Sequence, residues 1–178
     1  IEIYKKEIQS SLSEEYQSVF KWVREDNFHL TLFFLGYLEP REIEILKEIL
    51  AETVPQHLTF NLVFDKIVLG PRPQKPRLIW IEGEETKKLL RLRESLKKKL
   101  LNSPLPIDRK EIERFTSHIT LARIRTWQWR YIPMEERPEI EKEIELRIPV
   151  RSIDLMESRL KRPSPEYLKL DSFYLKKT

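Results

Sequence analysis

The 178-residue chain contains no cysteine. That absence removes disulfide frameworks, thiolate metal sites and cysteine nucleophiles together, and it fits a reducing compartment. Long apolar runs are missing as well. No segment approaches the roughly 18 consecutive apolar residues of a membrane span, and the opening "IEIYKKEIQSS" lacks the apolar core of a signal peptide, so a cytoplasmic location is expected. Charge of one sign is scarce: 33 Lys and Arg stand against 29 Asp and Glu, a net +4. Such a balance is compatible with a polyanionic partner and too small to demonstrate one. What the chain has in quantity is apolar residues, 40% of the total, enough to close one sizeable domain or two small lobes. Its richness in Lys and Glu points weakly toward a thermophilic source.

Periodicity organises the chain. Ile8, Leu12, Tyr16, Val19 and Phe20 recur at helical spacing, and Pro40 opens a second amphipathic stretch with Ile43, Leu46 and Leu50 on one side. Between them "NFHLTLFFLG" (27–36) has the composition of a strand ended by Gly36. The runs "LTFNLVF" (58–64) and "RLIWIEG" (77–83) alternate as strands, with the turn-rich "GPRPQKP" (70–76) between them. Leu89, Leu92, Leu96 and Leu100 predict a third helix, in which "LKKKL" (96–100) is the solvated side. "NSPLPIDRKEIE" reads as a loop, and "EKEIELRIPVRSIDLMESRL" and "EYLKLDSFYLKK" alternate as further strands. The chain is therefore expected to be α+β, with helices against a small sheet in each half.

Only three histidines occur, and two of them stand in the same setting: "HLTL" at His29 and "HITL" at His118, 89 residues apart. Residues two apart on a strand share a face, so His29 with Thr31, and His118 with Thr120, are expected to project in pairs. If the halves are related by an approximate two-fold axis, the four groups converge on one cleft. One such copy alone reads most simply as a satisfied core histidine, but a core needs no matching imidazole in each half. Neither copy belongs to an H-E-x-x-H pattern or holds a carboxylate inside its strand, so no tightly held zinc or magnesium is indicated. Two imidazoles of ordinary pKa near 6.5 suit metal-free acid and base work, one taking a proton from water and the other giving one to a leaving oxygen. Two threonine hydroxyls suit the charge that develops on the non-bridging oxygens of a phosphodiester.

"FHLTLFFLG" and "FTSHITLAR" resemble the signature of the 2H phosphoesterase superfamily. The flanking "VREDNFHLTLFFLG", "PRLIWIEG" and "VRSIDLMESRLKRPSPEY" resemble its RNA 2′,3′-cyclic phosphodiesterase branch, also called 2′-5′ RNA ligase. The resemblance covers essentially the whole chain and implies one domain, residues 1–178, of two pseudo-two-fold-related lobes. Each lobe would be a small, mainly antiparallel sheet with helices outside it, the terminal strands interleaved and a cleft at the centre. It implies His29 and His118 as the catalytic pair, with Thr31, Thr120 and Arg123 as phosphate ligands and no cofactor or metal. The substrate would be RNA with a 2′,3′-cyclic phosphate end, tRNA fragments included. Hydrolysis would leave a 2′-phosphate, His29 protonating O3′ and His118 activating water, although a near-symmetric site leaves these roles exchangeable. Attack by a 5′-hydroxyl in place of water would give 2′-5′ ligation. A monomer is implied, and no long heptad pattern argues for more. Family members begin with a short apolar strand, part of which would precede Ile1.

Other features depart from the pattern or add to it. Ser117 stands where the family often has proline. Arg123 lies five positions beyond His118, so strict alternation points it to the opposite face, and only a bulge, a twist or its own reach could return it. The matching position of the first copy is Phe34, which makes the phosphate site asymmetric. In "RIRTWQWRYIP", Trp127, Trp129 and Tyr131 interleave with Arg123, Arg125 and Arg130, a mixture suited to stacking unpaired bases. One buried tryptophan and one rim tryptophan is the plainer reading. His57, without a threonine partner, is expected to be structural or solvated. Two other classes fit the same motifs: a non-catalytic RNA-binding module, and a 2H enzyme acting on 2′-5′ oligoadenylate or linear RNA ends.

Overall fold

Serines at positions 10, 11, 13 and 18 break the first helical stretch. Short hydroxyl side chains compete for backbone groups and favour caps over helix interiors; here Ser11 Oγ donates to the Ile8 carbonyl at 2.8 Å. In the computed structural model, which describes residues 1–159 and 166–177, the single helix expected there becomes α1 (Glu2–Ser11) and α2 (Glu14–Gln17), and Phe20 passes into strand β1 (Phe20–Trp22). The chain continues through α3 (Pro40–Thr53), β2 (Phe60–Gly70), β3 (Leu78–Gly83), α4 (Lys87–Leu101), α5 (Arg109–Glu113), β4 (His118–Ile124) and α6 (Thr126–Tyr131). Strands β5 (Glu141–Val150), β6 (Ser152–Arg159) and β7 (Glu166–Tyr174) close it. The architecture is α+β with a mainly antiparallel sheet. Residues 160–165, part of the "VRSIDLMESRLKRPSPEY" stretch, lie outside the described residues.

Two compact units divide the chain. The first comprises residues 1–30, 64–84 and 117–146 and holds most of a five-stranded sheet of order β1-β4-β3-β2-β5. Strand β4 sits between β1 and β3 and pairs antiparallel with both. One face of these strands is closed: Ile67, Ile79, Ile81, Ile119, Leu121 and Ala122 are all buried.

The second unit comprises residues 31–63, 85–116 and 147–178. Pro40 occupies the first turn of α3, where its missing N–H costs nothing, and Glu39 and Glu42 close a capping box around it. Thr86 caps α4 by accepting from the Leu89 N–H at 3.3 Å. Helix α4 packs on α3 through buried Leu89, Leu92, Leu96 and Leu100, each contributing about 1.5 to 3 kcal/mol on burial. Lys97 and Lys99 turn outward to Glu94 and Glu52.

A β6–β7 ribbon completes this unit. On it, Asp154 accepts from Ser172 Oγ at 2.6 Å and pairs with Lys169 at 2.7 Å. Burial pushes the Asp154 carboxyl up, but the bonds from Lys169 and Ser172 together hold it below the ordinary 3.8. A carboxyl depressed on folding stabilises the protein above its unfolded pKa and ceases to do so as pH falls through the folded value. Asp154→Asn should therefore lower the melting temperature at pH 7, and the gap to wild type should narrow as melts are taken progressively below the ordinary carboxyl value of 3.8.

Candidate active site

Polar and apolar residues alternate along "HITL" and again along "ARI", the pattern of a strand with one closed and one open face. Cross-strand partners share a face. His118 lies opposite Glu82 and Thr120 opposite Trp80, whereas Ala122 lies opposite Ile79 and Arg123 opposite Leu78. The register therefore slips by one residue between Thr120 and Ala122, leaving Leu121 as the extra residue of a bulge. Burial records the same slip, since Leu121 and Ala122 are buried in succession. Leu78, Trp80 and Glu82 alternate on one face of β3, so the bulge returns Arg123 to the side that carries His118 and Thr120. Strict alternation, which sends Arg123 to the far side, does not hold here.

Four residues that sequence reasoning passed over, Trp80, Glu82, Lys66 and Lys21, join that face. Trp80 lies under His118, with ring centroids 4.4 Å apart and planes inclined by 42°. Its Nε1–H donates to Glu82 Oε2 at 3.2 Å, and Glu82 Oε1 is 3.5 Å from Lys66 Nζ. The indole is thus fixed by a carboxylate whose own charge is balanced, and it presents a rigid platform to the imidazole. Gly70 makes room for it: a Cβ at that position would overlap the Trp80 ring. Lys21 stands opposite Arg123 on β1. The alternation of "RLIWIEG" places Trp80 and Glu82 together on one strand face, but which strand lies beside it is a long-range fact absent from the local pattern.

The first motif copy behaves differently. Among the described residues, 28–39 are assigned to no strand, which corrects the expectation for 27–36. Alternation tells which side chains could share a face, but a strand also requires a neighbour for its N–H and C=O groups, and no neighbour is encoded locally. A short 3₁₀ turn, Glu25–Asn27, precedes His29 and presents the Asn27 carbonyl to the imidazole Nδ1 at 2.7 Å. A carbonyl can only accept, so Nδ1 carries the proton of this bond. His29 is exposed and Thr31 half-buried. Phe28, next to His29, lies under Lys5 Nζ at 5.6 Å. Gly36, with φ of +75°, turns the chain in the left-handed region that side chains disfavour.

Trp129 is a correction. The segment "TWQWRY" is helix α6, on which residues two apart point in roughly opposite directions. Trp129 is 5% exposed and Trp127 62% exposed. The Trp129 ring meets the edge of Phe20 at 6.1 Å and lies beneath the Arg137 guanidinium, so it is a core side chain and not a platform for bases. His57 is half-buried, and its pKa is lowered by burial, as suits a structural histidine. No helix among the described residues is long and apolar enough to cross a membrane.

The α+β fold, the two-copy H-x-T-L sequence and a β4 face that carries His118, Thr120 and Arg123 together are the features with which known proteins can be compared. The model of the LigT-like phosphoesterase family matches residues 5–80 and 81–167, and the chain belongs to that family. A protein of Aquifex aeolicus named RNA 2′,3′-cyclic phosphodiesterase is 30% identical over 158 residues, 87% of this chain and 81% of that protein. Proteins of the same name from Thermotoga maritima and Bacillus subtilis are 30% and 34% identical over 67% and 65% of this chain. Those two matches span only 65% and 61% of the relatives' own lengths. Among solved structures, a Thermus thermophilus protein aligns with TM-score 0.79 at 25% identity, covering 98% of this chain and 91% of that one. Escherichia coli LigT complexed with 3′-AMP aligns with TM-score 0.69 at 21% identity over 96% and 88% of the two chains, a likeness of fold.

Proposed function

We propose that the protein hydrolyses 2′,3′-cyclic phosphates at RNA ends to 2′-phosphates, with His29 and His118 as the acid–base pair. The observation that carries this reading is the β4 bulge, which collects His118, Thr120 and Arg123 on one face above a fixed indole. The name shared by the bacterial relatives supports the substrate. In this scheme His118 takes a proton from water as its oxygen bonds to phosphorus, the P–O3′ bond breaks, and His29 delivers a proton from Nε2 to O3′. Thr31, Thr120 and Arg123 meet the charge that grows on the non-bridging oxygens. Trp127 supplies an open aromatic face for an unpaired base, worth about 1 to 3 kcal/mol if stacked.

The groups needed for ligation are the same ones, with a 5′-hydroxyl in place of water. Water is abundant, so hydrolysis dominates unless a second RNA end is held in position. The test is to incubate the protein, in chelator, with an oligonucleotide ending in a 2′,3′-cyclic phosphate and to identify the product. A 2′-phosphate is expected. A 3′-phosphate, or an unchanged substrate, would refute the reaction as written.

A further inference from the structure

Arg93 lies inside the apolar stripe of α4, between Leu92 and Leu96, and is 6% exposed. Burying a guanidinium is costly unless it is paired and hydrogen-bonded, and a leucine there would continue the stripe at no such cost. Helix packing alone therefore does not account for it. Its Nη2 donates to the main-chain carbonyl of Ile112 and, at 3.2 Å, to that of Arg114, rather than to a carboxylate. Two aromatic rings flank the guanidinium, Phe33 at 4.9 Å and Phe115 at 4.5 Å. Burial pushes the Arg93 pKa down from its ordinary value, against an upward pull from Glu94 and Glu85.

The partners are notable for their place in the sequence. Phe33 stands two residues after Thr31 and four after His29. Ile112, Arg114 and Phe115 lead directly into Ser117 and His118. One planar cation thus touches the chain that leaves the first motif and the chain that enters the second. The first of these segments belongs to no strand among the described residues, so the contact of Phe33 with Arg93 holds a stretch that no ladder fixes. Lysine has neither the planar fork nor the flat faces that hold two rings and two carbonyls at once.

From this arrangement we propose that Arg93 is a positioning residue for both histidines, setting the chain on which His29 and His118 are carried without touching substrate. The inference rests on the two-histidine reading and deepens it. Misplacing a reacting group by about 1 Å costs on the order of 10²-fold, so Arg93→Lys should lower kcat by about that factor and leave KM nearly unchanged. The chain has three histidines, which makes the imidazole Cε1–H signals in a proton NMR spectrum a direct readout. Those of His29 and His118 should move in Arg93→Lys while that of His57 stays. Phe33→Leu and Phe115→Leu each remove one flanking ring and should move only the His29 or only the His118 signal. These two variants carry the test if Arg93→Lys gives no cooperative melt. A folded Arg93→Lys protein with native kcat would overturn the proposal, as would a loss of kcat with all three signals unmoved. His118→Ala assayed alongside separates the two levels. If it loses turnover while Arg93→Lys does not, only the role of Arg93 fails; if it also keeps native turnover, the two-histidine reading fails and this proposal falls with it.

Discussion

Replacing His118 by alanine should lower turnover of an RNA with a cyclic phosphate end by about 10² to 10⁴-fold, and replacing His29 should do so by a similar factor. In the proposed reaction each substitution removes a proton acceptor or donor, and His118→Ala also removes the ring that lies on Trp80. His29 is exposed, so the melting temperature should change little in His29→Ala, whereas His118→Ala uncovers Trp80 and should lower it modestly while the protein stays folded. The two act in the same displacement, so their losses should not multiply: the double variant should sit close to the worse of the singles. A binding module with this fold would show no turnover to lose and would surrender only some affinity for RNA. Rate and affinity measured on one set of variants therefore separate an enzyme from a binder.

Arg123→Met should produce the next largest loss, about 10² to 10³-fold in kcat, the scale of removing one preorganised donor from a developing oxyanion. The expectation rests on the bulge. If Leu121 were paired in regular alternation and formed no bulge, Arg123 would point into the closed face beside Ile79 and Ile81, where a cation could not be accommodated. With the bulge, Arg123 stands on the side of Thr120 and His118. Methionine keeps most of the side-chain volume and removes the charge, so stability is a poor explanation for a drop of that size. Arg91→Met, on the exposed side of α4, should leave kcat unchanged and controls for loss of a general positive charge. Native turnover in Arg123→Met would place the guanidinium off the substrate.

Local chemistry made much of this fold legible. Pro40 with its flanking glutamates, the four leucines of α4 and the alternation of "RLIWIEG" each announce their element, because cap, stripe and face are short-range properties. The pairing of His118 with Thr120 was legible for the same reason. Where a property depends on distant neighbours, the sequence was silent. Alternation cannot tell that "NFHLTLFFLG" lacks a ladder partner among the described residues, nor that β4 carries a bulge, since both depend on the adjoining strand. For Trp127 and Trp129 the sequence offered either a stacking surface or one buried and one rim side chain, and helix α6 gives the second, with Trp129 in the core and Trp127 in solvent. Arg93 drew no notice because a charged residue beside a leucine stripe is ordinary in a sequence; its burial between Phe33 and Phe115 is a tertiary fact.

The most direct test of two-histidine, metal-free catalysis is the pH dependence of kcat on a cyclic-phosphate-ended RNA, taken in chelator for the wild type and for His29→Ala and His118→Ala. A bell-shaped wild-type profile that survives chelation is expected, with each variant losing a different one of its two limbs. Chelator-abolished activity, or a bell with both limbs intact in either variant, would contradict the account.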